Sequence, residues 1–274
     1  MTKFKIVTDS GCLGDINFYK ENIIDIEPFQ AIIDGKYYLL DENFPLTNEY
    51  LEKVISSKKD FIVSKPNYLD IKNIYERPLK AGEDLLILHS SSNVVDIISS
   101  ANLAIKDLKE IYPERKIFLI DTETVACGID LLIKEVIEKK DLDILQAVDY
   151  IKSINYKIAS RIIINKHSLS DKKKESSLFK KNIILKENNG YITPYNYFFL
   201  VNTAIYSEIL AMRKNINTHY SQVYLVCSKK YKHLNKIINL IKKSIDSDVI
   251  VMEPNPLFLN LTGKKSIGLF YVKR

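Results

Sequence analysis

The sequence contains few of the residues that define several large classes of protein. Its 274 residues include three cysteines, eight glycines, eight prolines and no tryptophan. The cysteines are odd in number, scattered and outside any C-x-x-C pair, which argues against a disulfide framework and a structural zinc site. With 46% hydrophobic residues, the low glycine and proline content excludes disordered and collagen-like chains. A globular protein with a large core is expected.

Arginine is also scarce, although the chain is basic. Lys and Arg together number 40 against 34 Asp and Glu, a formal net charge of +6, yet only five of the basic residues are arginine. Guanidinium groups are preferred for bidentate recognition of bases and phosphates, so we interpret the charge as surface lysine and predict no nucleic-acid partner. No apolar run approaches the roughly 18 residues that cross a membrane, and no signal peptide is recognisable. A cytoplasmic protein without an integral membrane segment is expected.

The first half of the chain alternates short apolar strands with helical patterns. Residues 4–8, 23–29, 84–89 and 116–120 are predicted strands, and residues 48–56, 68–80, 97–111 and 128–138 are predicted helices. This alternation is typical of a mainly parallel sheet flanked by helices. Ligands of such sheets bind beyond the carboxyl ends of the strands, which here are the polar segments 8–11, 89–93 and 121–124.

The second half has a different pattern after a predicted helix at residues 142–154. A tight turn at Asn189-Gly190 predicts an antiparallel hairpin between residues 183–186 and 191–193. Residues 166–181 are polar and lysine-rich and are predicted to form an exposed loop. The remaining predicted strands are 161–165, 222–227, 248–253 and 266–272, and the remaining helices are 204–214 and 230–244. We predict an α/β fold with an N-terminal domain at residues 1–155 and a smaller α/β domain at residues 156–274.

Motifs of common enzymes are missing from the sequence. There is no Walker A loop, no G-x-G-x-x-G fingerprint and no G-x-S-x-G elbow. His89 is interpreted as a structural or pocket-lining residue rather than a general base. Asp9 and Asp121 could serve a metal-assisted phosphotransferase, but helix capping is the favoured interpretation. Residues 90–92 form either an anion site or a polar loop.

Fragments along the whole chain resemble, in order, the motifs of the DegV family. Residues 5–10 look like its opening strand and turn, and residues 32–38 with Asp41 look like its I-x-D-G-x-x-Y signature. Residues 63–67 occupy the position of its T-S-x-P-S loop. Residues 88–101 align without a gap to I-H-I-S-S-x-L-S-G-T-Y-x-S-A. Later matches are residues 120–122 with Gly128, and residues 262–263 with 267–270.

The resemblance implies both a fold and a function. Characterised members of the family are bacterial, FakB-like fatty-acid-binding proteins that present an acyl chain to a partner kinase. For this chain the resemblance implies a two-domain DegV-like fold that holds a long-chain fatty acid in an interdomain tunnel. It also implies a protein that is not an enzyme by itself, needs no cofactor or metal, and has a fatty acid kinase catalytic subunit as a candidate partner.

Several positions depart from the family pattern at the lipid site. The family holds the acyl carboxylate with threonine and serine hydroxyls beside a histidine, and those positions are Val63, Val95 and Leu261 here. Phe199 takes the place of an arginine tied to the kinase, and the helical insertion shrinks into residues 166–181. The predicted lipid-binding residues are Val63, Ser64, Ser91, Ser92, Val95, Leu261 and Thr262, with Ser10, Asn67 and His89 as secondary candidates.

Three hypotheses follow from this comparison. The leading one is non-catalytic binding of a fatty acid or another long apolar ligand, driven by burial of the chain. The alternative is a degenerate paralogue that keeps the fold, has lost ligand and kinase, and acts as an interaction or regulatory protein. A tunnel filled by Val95, Ile97 and Leu261 would favour that alternative. The third hypothesis is the metal-assisted phosphotransferase that uses Asp9 and Asp121.

Overall fold

The computed structural model describes residues 4–139, 141–165, 182–188, 190–217, 219–220, 222–245 and 247–274. The described strands are β1 (Phe4–Asp9), β2 (Asp25–Glu27), β3 (Gln30–Ile33), β4 (Lys36–Leu39), β5 (Phe61–Ser64), β6 (Asp84–His89), β7 (Ile117–Asp121), β8 (Ile158–Asn165), β9 (Asn182–Asn188), β10 (Tyr191–Phe198), β11 (Gln222–Val226), β12 (Asp248–Met252) and β13 (Ile267–Val272). The described helices are α1 (Ile16–Glu21), α2 (Asn48–Ser56), α3 (Tyr68–Lys80), α4 (Ile98–Ile111), α5 (Cys127–Glu138), α6 (Ile144–Asn155), α7 (Val201–Asn215), α8 (Leu234–Ser244) and α9 (Pro256–Thr262).

The predicted parallel sheet is confirmed in the first half of the chain. Sheet A has the strand order β2-β1-β6-β7, and its neighbouring strands are parallel. Side chains alternate between its faces, as the period of a strand requires. Ile6 and Leu86 belong to the core shared with α5 and α6, whereas Val7 and Leu85 belong to the core shared with α3 and α4. Because β1 and β6 are the two central strands and are parallel, their carboxyl ends lie side by side at the middle of one sheet edge.

A second, antiparallel sheet was not predicted as a separate unit. Sheet B has the order β4-β3-β5 and packs its buried residues into the same core as α3 and α4. The prediction of one strand over residues 23–29 was wrong, because β2 ends at Glu27 and β3 begins in the other sheet. The loop expected at Val63 is also a strand, because Val63 pairs with Ala31 and Ser64 pairs with Gln30. The alternating burial of residues 61–64 is the local pattern that marks it.

Sheet C forms the second half and is mainly antiparallel. Its order is β10-β9-β8-β13-β11-β12, with β11 and β12 as its parallel pair. The predicted hairpin is confirmed as β9 and β10, with Gly190 at φ +80° in the turn. Helices α7 and α8 cover one face of this sheet, and α5 and α6 cover the other.

Helix α5 lies between sheets A and C and is apolar almost all round. Eight of its twelve residues are buried, including Asp130. A helix is apolar on all sides when neighbours cover every face. The fold therefore has five layers, with α3 and α4 outside sheet A, α5 and α6 between the sheets, and α7 and α8 outside sheet C.

Two short helices were not predicted, because each is too short to show a helical period. Helix α1 has six residues and is capped by Asp15, and α9 has seven residues with Asn255 as its cap and Pro256 at its start. The proposed domain boundary falls where α6 ends at Asn155 and β8 begins at Ile158, and the division itself stays a prediction. The loop predicted at residues 166–181 lies outside the described residues. None of the helices described is both long and apolar enough to span a membrane.

Candidate functional site

The carboxylate of Asp9, at the end of β1, is completely buried and fully hydrogen-bonded. Its Oδ1 accepts hydrogen bonds from the Gly11 amide at 2.8 Å and the Ser90 hydroxyl at 2.7 Å. Its Oδ2 accepts a bond from the Ser90 amide at 2.6 Å and lies 3.1 Å from His89 Nδ1. Four partners surround its two oxygens, so Asp9 joins the ends of β1 and β6 and has no oxygen directed at a substrate.

The imidazole of His89 is buried behind Asp9. Its Nε2 lies 2.6 Å from the Tyr75 hydroxyl and 3.4 Å from Glu27 Oε2. Burial lowers the pKa of His89, but the Asp9 hydrogen bond and the Glu27 and Asp9 charges more than offset this and leave it above its ordinary value. Both ring nitrogens are engaged inside the protein, which fits the structural interpretation and gives His89 no contact with a ligand.

Glu27 is a buried carboxylate that the sequence reading missed. It ends β2 and is fully buried, with His89 Nε2 3.4 Å from its Oε2. Burial raises the pKa of Glu27 to about 7, and the His89 charge opposes this. Sequence alone offered only an isolated glutamate between apolar residues, whereas the tertiary structure places it beside Asp9 and His89.

The geometry does not support the phosphotransferase hypothesis. Thr8 pairs with Leu88 and His89 pairs with Asp121, so Asp9 and Asp121 lie two strand spacings apart, or about 10 Å. Among the described residues, no group of three or more His, Cys, Asp or Glu side chains could hold a metal ion. With Asp9 enclosed as well, neither a paired-carboxylate metal site nor an exposed nucleophile is formed.

The capping interpretation of Asp9 and Asp121 was also wrong. Asp121 Oδ1 accepts a hydrogen bond from the Glu123 amide at 2.9 Å, and Asp9 accepts one from the Gly11 amide. Both are bonds within loops, two residues along the chain, which is the Asx-turn pattern. The helices that follow begin several residues later. Helix α1 begins at Ile16 and is capped by Asp15, and α5 begins at Cys127.

The serine segment after β6 is used for packing between the two halves of the chain. Ser90 binds Asp9, and the buried Ser91 hydroxyl donates to the Gly190 carbonyl at 2.7 Å. Helix α4 begins only at Ile98, so residues 90–92 do not form an anion site at a helix N-terminus. The turn of the β9–β10 hairpin instead closes over this segment. A Cβ at Gly190 would lie 2.7 Å from Ser91 Oγ.

Three segments meet at the positions where the resemblance implies a carboxylate site. The Lys65 ammonium lies 3.8 Å from Asp96 Oδ2, which joins the end of β5 to residues 91–97. Asn260 on α9 donates a hydrogen bond to the Phe61 carbonyl of β5. The corresponding side chains are Val63, Val95 and Leu261, all half-buried and packed against the core of α3 and α4. The three positions that carry polar groups in the family pattern therefore carry half-buried apolar side chains here.

Most other predicted site residues are engaged within the protein. Thr262 is buried and donates to the Phe258 carbonyl at 2.6 Å. The side-chain oxygen of Asn67 accepts a hydrogen bond from the Asp70 amide and caps α3, and its side-chain Nδ2 donates to the Asp70 carboxylate. Ser10 Oγ accepts a bond from the Phe29 amide at 2.8 Å. Ser64 is exposed on β5, and Ser92 is half-buried with its amide bonded to Asp121. The roles predicted for these residues stay predictions.

Asn255 connects the two halves and was not found from sequence. Its Nδ2 lies within hydrogen-bond distance of the carbonyls of Ser10, Gly11 and Cys12, at 2.9, 3.3 and 3.1 Å. Its Oδ1 accepts the Phe258 amide at 2.8 Å and caps α9. One side chain thus positions the loop after β1 against the helix that carries Leu261. An asparagine before a proline indicates a helix start, but its partners more than 240 residues away are invisible in the sequence.

Asp130 on α5 anchors the same loop from the other side. It accepts hydrogen bonds from the Leu13 amide at 2.9 Å and from the Tyr19 hydroxyl. Burial raises the pKa of Asp130 to about 6, and these hydrogen bonds oppose the shift. Burial also raises the thiol pKa values of Cys12 and Cys127, which keeps both cysteines protonated and unreactive.

Two clefts border α9. The larger, of about 510 Å³, lies beyond β1 and β2 and is lined by Ser10, Cys12, Gly14, Ile16, Tyr19, Lys20, Ile24, Asp25, Ile26, Leu40, Asp41, Glu42, Asn43, Phe44, Asn255 and Pro256. The smaller, of about 300 Å³, lies between α2 and the end of β11 and is lined by Asn48, Glu49, Glu52, Cys227, Ser228, Lys230, Tyr231, Lys232, Pro254, Leu259, Lys265 and Ser266. Ser10 is the one predicted site residue among these lining groups.

These layers and strand-end segments define an α/β protein with a parallel sheet in its first half and a mainly antiparallel sheet in its second half. The family model described as "Uncharacterised protein, DegV family" matches residues 3–166. The chain belongs to the DegV family. A DegV domain-containing protein of Staphylococcus aureus (strain MRSA252) is 25% identical over 138 residues, 50% of this chain and 47% of that protein. The chain thus matches about half the length of such curated relatives.

Solved structures share the fold over nearly the whole chain. A Thermotoga maritima protein described as having a fatty acid binding function has a TM-score of 0.83 at 20% identity, covering 100% of both chains. A stearic acid-binding protein of Eubacterium ventriosum has a TM-score of 0.83 at 16% identity and 98% coverage of both. The Streptococcus pneumoniae fatty acid kinase B3 protein, loaded with linoleic acid, has a TM-score of 0.80 at 15% identity, covering 100% of both. The predicted α/β fold is therefore confirmed.

Proposed function

We propose that the protein binds a long-chain acyl ligand of the fatty-acid class and does not transform it. The observation that carries this proposal is the end-to-end similarity of the fold to solved proteins described as holding fatty acids. Burial contributes about 0.8 kcal/mol per methylene, so a chain of about sixteen carbons offers about 12 kcal/mol before ordering costs. Such affinity tolerates a change at the headgroup end.

The proposed ligand lies between the two halves of the chain, with its polar end beside Val63, Val95 and Leu261. Helix α9 carries Leu261 and stands between the two clefts, because Asn255 and Pro256 line the larger and Leu259 lines the smaller. None of the three apolar side chains lines either cleft. We therefore expect binding to displace α9, a helix of only seven residues that is held by its cap.

Two measurements test the proposal. Protein purified from a lipid-containing bacterial host should carry an acyl lipid detectable by native mass spectrometry and by solvent extraction. Adding a sixteen-carbon lipid to delipidated protein should change amide hydrogen exchange in α9 while leaving α8, on the outer face of sheet C, unchanged. Protein that carries no lipid and shows no exchange change with any long-chain lipid would refute it.

One observation favours the alternative of a degenerate paralogue that acts through other contacts. Ile97 is completely buried, and Val95 and Leu261 pack against the same core, which supports the interpretation that these side chains fill the space where the family pattern has a headgroup site. Failure of all long-chain lipids to bind would support this alternative.

A role as acyl carrier for a fatty acid kinase is a further part of the leading proposal. It predicts that an acyl phosphate and ADP form when the protein loaded with a fatty acid is mixed with a kinase catalytic subunit and ATP.

A further inference from the structure

Three tyrosines of β10 are exposed although each lies within a strand. Tyr191, Tyr195 and Tyr197 are 58%, 61% and 44% exposed. Their strand is the outermost strand of sheet C, next to β9. Clustered exposed apolar side chains mark interaction sites, whereas single ones do not. These three residues, which we call the β10 tyrosines, therefore form a candidate contact surface.

The half of the chain that carries the β10 tyrosines is strongly basic. Residues 156–274 contain 21 Lys and Arg against seven Asp and Glu, whereas residues 1–155 contain 19 against 27. The two parts therefore have formal net charges of +14 and −8. Glu208, one of the seven acidic residues, is buried beside Arg161 and adds no negative charge to the surface. A charge excess of this size in one half attracts polyanions.

Cations lie close to the exposed rings. Lys186 of β9 pairs with Thr193 in the hairpin, and its Nζ lies 5.5 Å from the centroid of the Tyr195 ring. Arg213 and Lys214 are exposed in the last turn of α7, the helix that follows β10 and packs against it. Helix α8, in the same outer layer, adds the exposed residues Lys236, Lys242 and Lys243. Aromatic rings and positive charge thus share one part of the molecule, and at Tyr195 they are adjacent.

The edge of β10 is poorly suited to pairing with a further strand. Pro194 has no amide hydrogen to donate, and the register shifts between Pro194 and Asn196 as in a β-bulge. Both features protect a sheet edge against adding another strand. The β10 tyrosines therefore offer side chains, rather than backbone groups, to a partner.

We propose that the β10 tyrosines and the basic residues beside them bind single-stranded nucleic acid without sequence preference. Proteins of this kind stack bases on exposed aromatic rings while cationic side chains neutralise the phosphates. These contacts need no guanidinium group, so the scarcity of arginine, which argues against recognition of base edges, does not argue against them. The proposal therefore revises the expectation that nucleic acid is not a partner. It goes beyond the proposed function and does not require an acyl ligand.

A single strand fits this surface better than other polyanions do. An anionic bilayer or an acidic protein supplies negative charge, but a single strand supplies a planar ring to stack beside each charge. In a duplex the ring faces are hidden by the neighbouring base pairs. RNA and DNA strands share the chemistry that the surface recognises.

Fluorescence anisotropy tests the proposal with labelled oligo(rU) and oligo(dT) of about twelve nucleotides. Wild-type protein should bind at least one of them, and the affinity should fall with salt with a log–log slope of about −2 or steeper, as three or more neutralised phosphates imply. Binding of one strand alone identifies the kind of nucleic acid and supports the proposal. No binding of either strand at up to about 100 μM protein at low salt overturns it.

Single variants separate stacking from charge. Tyr195→Ala should weaken binding about tenfold, because that is the usual contribution of one stacked base. Tyr37→Ala is the matched control and should bind like wild type, since Tyr37 is 60% exposed on β4, an outer strand of sheet B in the acidic half. Tyr195→Phe keeps the ring and should also bind like wild type. Unchanged affinity in Tyr195→Ala, or an equal loss in either of the other variants, contradicts the proposal.

Competition distinguishes the other polyanions. Polyglutamate carries negative charge without rings, and phosphatidylglycerol vesicles present an anionic bilayer. Each should displace the labelled strand much less effectively than the unlabelled strand does at equal charge concentration. Equal displacement by polyglutamate or by vesicles, or equal affinity for a duplex of the same length, would show recognition of charge alone and overturn the proposal.

Discussion

Replacing Glu27 with glutamine tests the buried network at the strand ends. Glu27 is fully buried beside His89, and burial raises the pKa of its carboxyl from 4.5 to about 7. A raised pKa means that the native state binds a proton more tightly than the unfolded state does. The stability that this proton contributes is present below the unfolded pKa. It is lost as the pH rises from about 4.5 towards the folded value of about 7.

The size of this stability change follows from the raised pKa of Glu27. A difference of about 2.5 pKa units, at about 1.4 kcal/mol per unit, corresponds to about 3 kcal/mol of unfolding free energy. His89 has a raised pKa and loses its contribution as the pH rises above its ordinary value, and Asp130 loses its contribution between 3.8 and about 6. Loss of the bound proton from each of these three groups therefore lowers the unfolding free energy on going from acid to neutral pH. Glu27→Gln removes the contribution of Glu27 to this pH dependence.

Urea denaturation of wild type and Glu27→Gln from about pH 4 to about pH 8 measures the effect. The unfolding free energy of the variant relative to wild type should rise by about 3 kcal/mol across this range. Glu76→Gln is the control, because the hydrogen bond from Lys80 lowers the pKa of Glu76. Its relative stability should change little and in the opposite direction. Parallel pH profiles for wild type and Glu27→Gln would refute the reasoning.

Two further predictions concern the contacts that join the halves. Asn255→Ala removes a helix cap and the bonds to the loop after β1, and should cost about 2–3 kcal/mol in urea denaturation. Asn255→Asp keeps the cap but cannot donate, so wild-type stability in that variant would show that the contacts with the loop contribute nothing. Gly190→Ala should destabilise by about 1 kcal/mol more than Gly35→Ala. Both glycines have positive φ, +80° and +74°, but only at Gly190 would the new Cβ meet other atoms, and equal losses would contradict this reason.

Much of the fold follows from local patterns. The helices at residues 48–56 and 68–80 were predicted with their observed bounds, because each has a polar cap and an apolar stripe. Sheet B and α9 were missed, because four-residue strands and a seven-residue helix are too short for a period to appear. The hairpin was predicted because an Asn-Gly pair in the sequence, at residues 189–190, favours a tight turn.

The candidate site also depends partly on local pattern and partly on contacts between distant residues. Sequence brought Asp9, His89 and Ser91 together, since the carboxyl ends of parallel strands share one edge. It could not assign their roles, because the contact of His89 with Glu27 and the hydrogen bonds to Tyr75 and Gly190 depend on distant elements. The expected helix caps and anion site were therefore replaced by loop contacts and packing between the halves.

The sequence by itself determined the family, the alternation of strands and helices, and the apolar residues at Val63, Val95 and Leu261. These features depend on residue type and local period, which are written along the chain. The tertiary structure decided that α5 lies between two sheets, that Asn255 holds α9 to the loop after β1, and that the Ser91 hydroxyl is bonded to the Gly190 carbonyl. Those outcomes arise from contacts between residues far apart in sequence, where burial and hydrogen-bond geometry determine which groups remain for a ligand.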